Sequence, residues 1–192
     1  MKTSRLEAFS DGVIAIAITV MVLEMKVPHG TELAALRPLL PVFTSYLLSF
    51  VYLAIYWNNH HHLLQATERV SGAILWANMH LLFWLSLFPF VTGWLGENQG
   101  GVWPTAMYGV VLLMAAIAYF VLERTIVSRH GRESTVARAV GRDVKGMVSP
   151  VLYAAAIALA FVNEWISQAL YVTVALLWLV PDRRIESVLG AA

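Results

Sequence analysis

The chain has 192 residues, 59% hydrophobic and only 13% charged, with a net charge of +1 and a mean hydropathy of +0.68. A soluble domain of this length carries close to twice that charged fraction, and a near-neutral chain is a poor match for nucleic acid. The lack of cysteine removes disulfide frameworks, thiolate metal sites and cysteine nucleophiles.

The charges are gathered into short joints between long charge-free runs, a pattern suited to hydrocarbon, where backbone groups must be satisfied inside a helix or a closed barrel. Period-two alternation, the mark of a membrane barrel, is absent. Lys2 and Arg5 precede the first run as in a signal peptide. No small-residue cleavage site follows, and the run leads to Glu24 and Lys26, so it reads as a retained helix. Taking about 20 apolar residues per crossing, the predicted spans in chain order are about Leu6–Met25, Leu39–Trp57, Ala73–Leu95, Trp103–Leu122, Met147–Val162 and Ile166–Val180. The last two are short, either a tilted hairpin or a re-entrant pair. The expected fold is therefore an all-α integral membrane protein of six transmembrane helices in a single domain, residues 1–192.

Two joints carry structure of their own. Thr31 to Leu36 reads as a short capped helix stopped by Pro38 and Pro41. From Ser134 to Val144, Arg138 and Arg142 fall one helical turn apart, either along the membrane surface or on a solvated basic loop. Of the 13 Lys and Arg residues, only Lys26 and Arg37 fall on one side of the predicted spans. The positive-inside rule places the others, and both termini, in the cytoplasm. Trp57, Trp76, Trp94, Trp103 and Trp165 lie near predicted span ends, as an aromatic belt requires.

The first helix is the informative one. Asp11 lies inside it, where a carboxylate costs about 2.5–3.5 kcal/mol on insertion scales and needs a partner or water. Arg5, Ser10, Asn78, His80 and the His60-His61-His62 run are candidate partners. Asp11 either pins helices together or meets a permeating or titrating ion. Gly12, Ile16, Val20, Leu23 and Val27 share one stripe at 100° per residue, with Thr19 on its flank; in a membrane, lipid is the default neighbour of such a stripe. Adjacent histidines point around a helix rather than converging, so a metal site within the His60-His61-His62 run is not expected. Packing or hydrogen bonding to the first helix is the expected role, with titration against Asp11 as the other.

Arg5-x-x-x-Phe9-Ser10-Asp11-Gly12, running into Ala-Ile-Ala-Ile-Thr and Leu23-Glu24, resembles the transmembrane protein 175 family of potassium channels in its prokaryotic form. Tyr56-Trp57-x-x-His60-His61, Trp76-x-Asn78, Pro89-Phe90 and Pro181-Asp182-Arg183-Arg184 extend the resemblance along the chain. It implies a six-helix subunit without the usual re-entrant pore loop or Thr-Val-Gly-Tyr-Gly filter, and this sequence has no such filter motif. It further implies a homotetramer in the plasma membrane with the first helix lining a central pore. The constriction then falls on Ile16, followed by Val20 and Leu23, with the Thr19 hydroxyl beside it for a partly dehydrated potassium ion. Arg5, Phe9, Ser10 and Asp11, with Trp76, Asn78 and His80, become the network that fastens the pore helix. Potassium, membrane lipid and further copies of the chain are the implied partners. No cofactor or bound metal is expected.

A ring of isoleucines is a physical gate in its own right, because a narrow apolar neck excludes ions by dewetting until it widens. A competing class is a proton-coupled transporter built on Asp11 and His80, although no paired Gly/Pro-broken helices mark inverted repeats. A membrane enzyme finds no support, since neither His-Glu-x-x-His nor a nucleophile constellation is present.

Overall fold

A computed structural model describes residues 3–131 and 144–179. The expected surface segment with Arg138 and Arg142, and the Pro181-Asp182-Arg183-Arg184 motif, lie outside the described residues.

Everything regular among the described residues is helical. α1 spans Thr3–Leu23, a short 3₁₀ helix Leu33–Leu39, α2 Leu40–Gln65, α3 Gly72–Ser86, α4 Phe88–Glu97 and α5 Val102–His130. α6 spans Val144–Ala160 and α7 Glu164–Leu179. Four stretches are long and apolar enough to cross a membrane: Thr3–Leu23, Leu33–Gln65, Gly72–Glu97 and Val102–His130. α6 and α7 are apolar but shorter, with 17 and 16 residues, or about 24–26 Å of helix at 1.5 Å per residue.

α5 runs on to His130, eight residues past the expected end of the fourth span at Leu122, and three further boundaries differ from expectation for identifiable reasons. The third span is broken at Leu87. Pro89 lacks the N–H that would reach back to Leu85, and its ring clashes with that carbonyl, so the helix ends and restarts with proline in its first turn. α2 continues past Trp57 to Gln65 and so holds the whole histidine run in helical register. The joint after α1 forms a 3₁₀ helix that passes through Pro38, and its N-terminal residue Glu32 makes no side-chain cap.

Successive spans alternate in direction, with α3 and α4 running the same way as the two halves of one span. One end of the bundle, here the amino-terminal end, carries the start of α1 and the joint between α2 and α3, tied by Thr3 Oγ1 donating to the Thr67 carbonyl at 3.1 Å. The other, distal end carries the end of α1, the 3₁₀ helix and the end of α4. There Lys26 pairs with Glu97 at 3.1 Å.

The core is apolar but threaded by hydroxyls. Ser49 on α2 bonds Thr92 of α4 at 2.6 Å and Tyr108 of α5 at 2.9 Å. Tyr52 donates to the Tyr171 carbonyl of α7 at 2.6 Å, and Tyr171 donates to the Thr105 carbonyl of α5 at 3.1 Å. Inside hydrocarbon such groups have no water to turn to, so each fixes a helix pair at one register. Gly109 makes the last contact possible, because the Tyr171 hydroxyl and Ile157 occupy the space a Cβ there would need.

Candidate functional site

α1 has two faces that its own subunit treats differently. Leu6, Ser10, Ile14, Ala17 and Met21 recur at three- and four-residue spacing and are buried against the bundle. The other face is bare: Phe9, Gly12, Ile16, Thr19 and Leu23 are exposed, Ile16 at 64% and Leu23 at 75%. Val20 is turned half inward. The exposed arc is therefore centred nearer Thr19 than the stripe drawn from the sequence. The Thr19 hydroxyl donates to the Ala15 carbonyl at 2.9 Å, which leaves its oxygen lone pairs on the bare face. Glu24, just past the end of α1, is exposed as well.

The buried face is anchored near the amino-terminal end by polar contacts of two kinds. Ser10, Asn78 and His60 form a fully buried chain across α1, α3 and α2. Asn78 Nδ2 donates to Ser10 Oγ at 2.9 Å, and Ser10 donates to the Leu6 carbonyl at 2.8 Å. The amide is thereby oriented with its oxygen toward His60, so His60 Nε2, 2.7 Å away, is the donor. His60 Nδ1 has no partner among the described residues.

The second anchor is a two-rung ladder. Glu7 and Asp11 stand one helical turn apart on α1 and face His61 and Trp57, one turn apart on the antiparallel α2. His61 Nδ1 lies 2.8 Å from Glu7 Oε1, and Trp57 Nε1 donates to Asp11 Oδ1 at 3.0 Å. The Trp57 and His61 rings stack with centroids 5.9 Å apart, and Gln65 Nε2 meets His61 Nε2 at 2.8 Å.

Of the residues expected to fasten the pore helix, Ser10 and Asn78 meet directly, and Asp11 is held by Trp57. His80 is exposed and accepts from Trp84 Nε1 at 3.0 Å, on its own helix. Arg5, Phe9 and Trp76 are exposed in the single subunit, Trp76 at 78%. The histidine run is expected to bond the first helix, and His61 does so through Glu7; Glu7 and Trp57 are the partners that reading the sequence did not single out. The signal was present: two carboxylates four residues apart on one helix match a tryptophan and a histidine four apart on the next. Among the described residues no group of three or more His, Cys, Asp or Glu side chains is arranged to hold a metal ion.

The fold is that of a multi-span helical membrane protein whose first helix keeps an apolar face uncovered and ties down its other face with buried polar contacts. The comparisons agree. The family described as endosomal/lysosomal potassium channel TMEM175 matches residues 5–89, the part that holds α1, α2 and α3. A potassium channel of Chryseobacterium sp. (strain P1-3) is 51% identical over 186 residues, covering 97% of each chain. A potassium channel of Chamaesiphon minutus is 32% identical over 183 residues, covering 86% of this chain and 88% of that one. The crystal structure of a lysosomal potassium-selective channel TMEM175 homolog from Chamaesiphon minutus matches with a TM-score of 0.78 at 31% identity, over 93% of this chain and 96% of that chain. The chain belongs to the TMEM175 family, a family of potassium channels and not of enzymes.

Proposed function

We propose that the chain conducts potassium passively as a homotetramer, with the bare face of α1 from each copy lining a central pore. The observation that carries this is the uncovered ridge of Phe9, Gly12, Ile16, Thr19 and Leu23 on a helix otherwise locked into its bundle. Ile16 forms the tightest apolar ring, and Val20 and Leu23 continue it toward the distal end. Thr19 adds a hydroxyl next to the ring where a partly dehydrated cation passes. Four apolar side chains at one level exclude ions while narrow and admit them when the ring widens. Potassium gives up hydration water more readily than sodium, so such a neck prefers it modestly, with less discrimination than a ring of backbone carbonyls.

In this arrangement the chain is a single domain in the plasma membrane. The amino-terminal end of the bundle, with Arg5, Arg69, Arg124, Arg129 and Lys145, faces the cytoplasm as the positive-inside rule requires. α6 and α7 form the tilted hairpin that completes six crossings. Potassium flux into proteoliposomes, with sodium as the comparison and a protonophore carrying countercharge, is the test. Passive potassium uptake clearly faster than sodium supports the channel. Uptake that requires an imposed proton gradient sinks it in favour of a transporter.

A further inference from the structure

At the distal end, α1, α2 and α4 leave an open groove of about 450 Å³. Its walls include Glu24, Val42, Tyr46, Phe90, Trp94 and Glu97. The Glu24 carboxylate lies over the bare backbone of Gly93, where an added Cβ would meet it at 3.2 Å, so the acid is laid into the groove. Glu97 already pairs with Lys26, whereas Glu24 has no cation partner among the described residues. Beside the groove, the 3₁₀ helix projects outward with nothing to cover it: Leu33 is 85% exposed and Leu36 47%. Three-residue spacing stacks these two leucines on one face of a 3₁₀ helix, and Arg37 follows on the adjoining edge without an acidic partner among the described residues.

Copies arranged around an axis along the membrane normal keep their depth, so a groove at the distal end meets only distal-end elements of its neighbour. The described basic groups at that level are Lys26, His29 and Arg37, and Lys26 is taken by Glu97. Of the other distal turns, that between α4 and α5 carries no charge from Asn98 to Gly101, and that between α6 and α7 carries Glu164, a like charge that Glu24 would repel. We propose that the groove is one half of a subunit contact. The 3₁₀ helix of a neighbouring copy seats the partner's Leu33 and the partner's Leu36 against Phe90 and Trp94, and the partner's Arg37 pairs with Glu24. The knob and the groove are different surfaces of one chain, so the contact is heterologous, the kind that forms a closed ring when successive copies are turned by a quarter turn, as the proposed tetramer requires. The contact also places Glu24, which follows the pore helix, in an intersubunit ion pair. It rests on the tetramer proposed above.

The cysteine-free sequence makes cross-linking clean. The full-length Glu24→Cys/Arg37→Cys variant is treated in membranes with a short bis-maleimide, whose span suits a Glu–Arg separation better than a bare disulfide does. The expected result is a ladder through dimer and trimer to tetramer in denaturing gels, with each single variant stopping at dimer or below. A monomer band alone from protein whose native mass is tetrameric overturns the contact and leaves the tetramer standing; the groove then belongs to lipid or to an outer solute. A native mass below tetramer overturns both. If the cysteine pair fails to assemble, charge exchange decides. Glu24→Arg and Arg37→Glu each lose tetramer and the double exchange regains it, whereas a double exchange no better than the singles sinks the pairing.

Discussion

Asn78 sits at the centre of the most demanding contact on α1, because one amide serves two buried partners at once. Truncating it to alanine leaves the His60 ring N–H and the Ser10 hydroxyl without that partner, where unmet groups cost about 1–3 kcal/mol. Asn78→Ala is therefore expected to lower the melting temperature of the detergent-solubilised protein, and to weaken assembly before it alters ion preference. Unchanged melting would show that water replaces the amide. Asp11 needs different treatment, since its partner is an exposed indole N–H that only requires an acceptor. Asp11→Asn keeps a carbonyl oxygen for Trp57 and should behave nearly as the parent, while Asp11→Ala should impair assembly. A well-assembled Asp11→Asn protein that has lost conduction would show instead that the charge acts on the ion. The residues of this site were partly legible in the sequence. Ser10, Asp11 and Asn78 stood out as polar groups in apolar runs. His80 stood out for the same reason, yet its bond to Trp84 lies within one helix, and no sequence distance separates a residue that faces a neighbour from one that faces away. Of the ladder of Glu7 and Asp11 against His61 and Trp57, the sequence offers Asp11 and the histidine run, but Trp57 reads equally well as part of an aromatic belt, and the matched spacing alone does not pair Glu7 with His61.

At the scale of elements, apolar runs gave the helices, while local chemistry moved their ends. Composition alone cannot break the third span; the break follows from one proline, and the extension of α2 follows from the helix tolerating a histidine run once His60 and His61 find partners. The stripe on α1 was drawn slightly off centre for a related reason. Beyond Asp11, α1 is almost wholly apolar on every side, so periodicity marks no unique face there, and only packing against α2, α3 and α4 shows which side is left over. Between elements, the closest approach open to test is α5 against α7 at Gly109. A methyl group there would strike the Tyr171 hydroxyl and stand 2.8 Å from Ile157 Cγ1. Gly109→Ala should destabilise the bundle by about 1–3 kcal/mol, the usual cost of overpacking, read as a lower melting temperature. Tyr171→Phe in the same background removes the nearest clash and should recover part of the loss. Equal melting of the parent and Gly109→Ala would mean that α7 is free to slide, and that Tyr171 does not fix its register.

At the scale of the whole molecule, the question is why one subunit leaves an isoleucine on its first helix bare, when Ile14 two residues earlier is 1% exposed. Lipid would tolerate that face, and so would a pore, and these two neighbours respond oppositely to a polar group. Ile16→Asn facing lipid places an amide in hydrocarbon, so the variant should insert or assemble poorly and its potassium flux should fall. Facing a pore, the same change puts one amide per copy around the neck, holds water there and lowers the barrier to a hydrated ion. A reduction of about 1.4 kcal/mol corresponds to about tenfold faster flux. Widening by hydration also relaxes the demand that the ion shed water, so the gain should be larger for sodium than for potassium. The expected outcome of Ile16→Asn is thus a well-assembled protein with raised flux and a smaller potassium-to-sodium ratio in the same proteoliposome assay. Raised flux with an unchanged ratio would keep Ile16 as a gate but move selectivity elsewhere, Thr19 being next on the ridge. Flux that stays at the parent level in assembled protein would remove Ile16 from the conduction path.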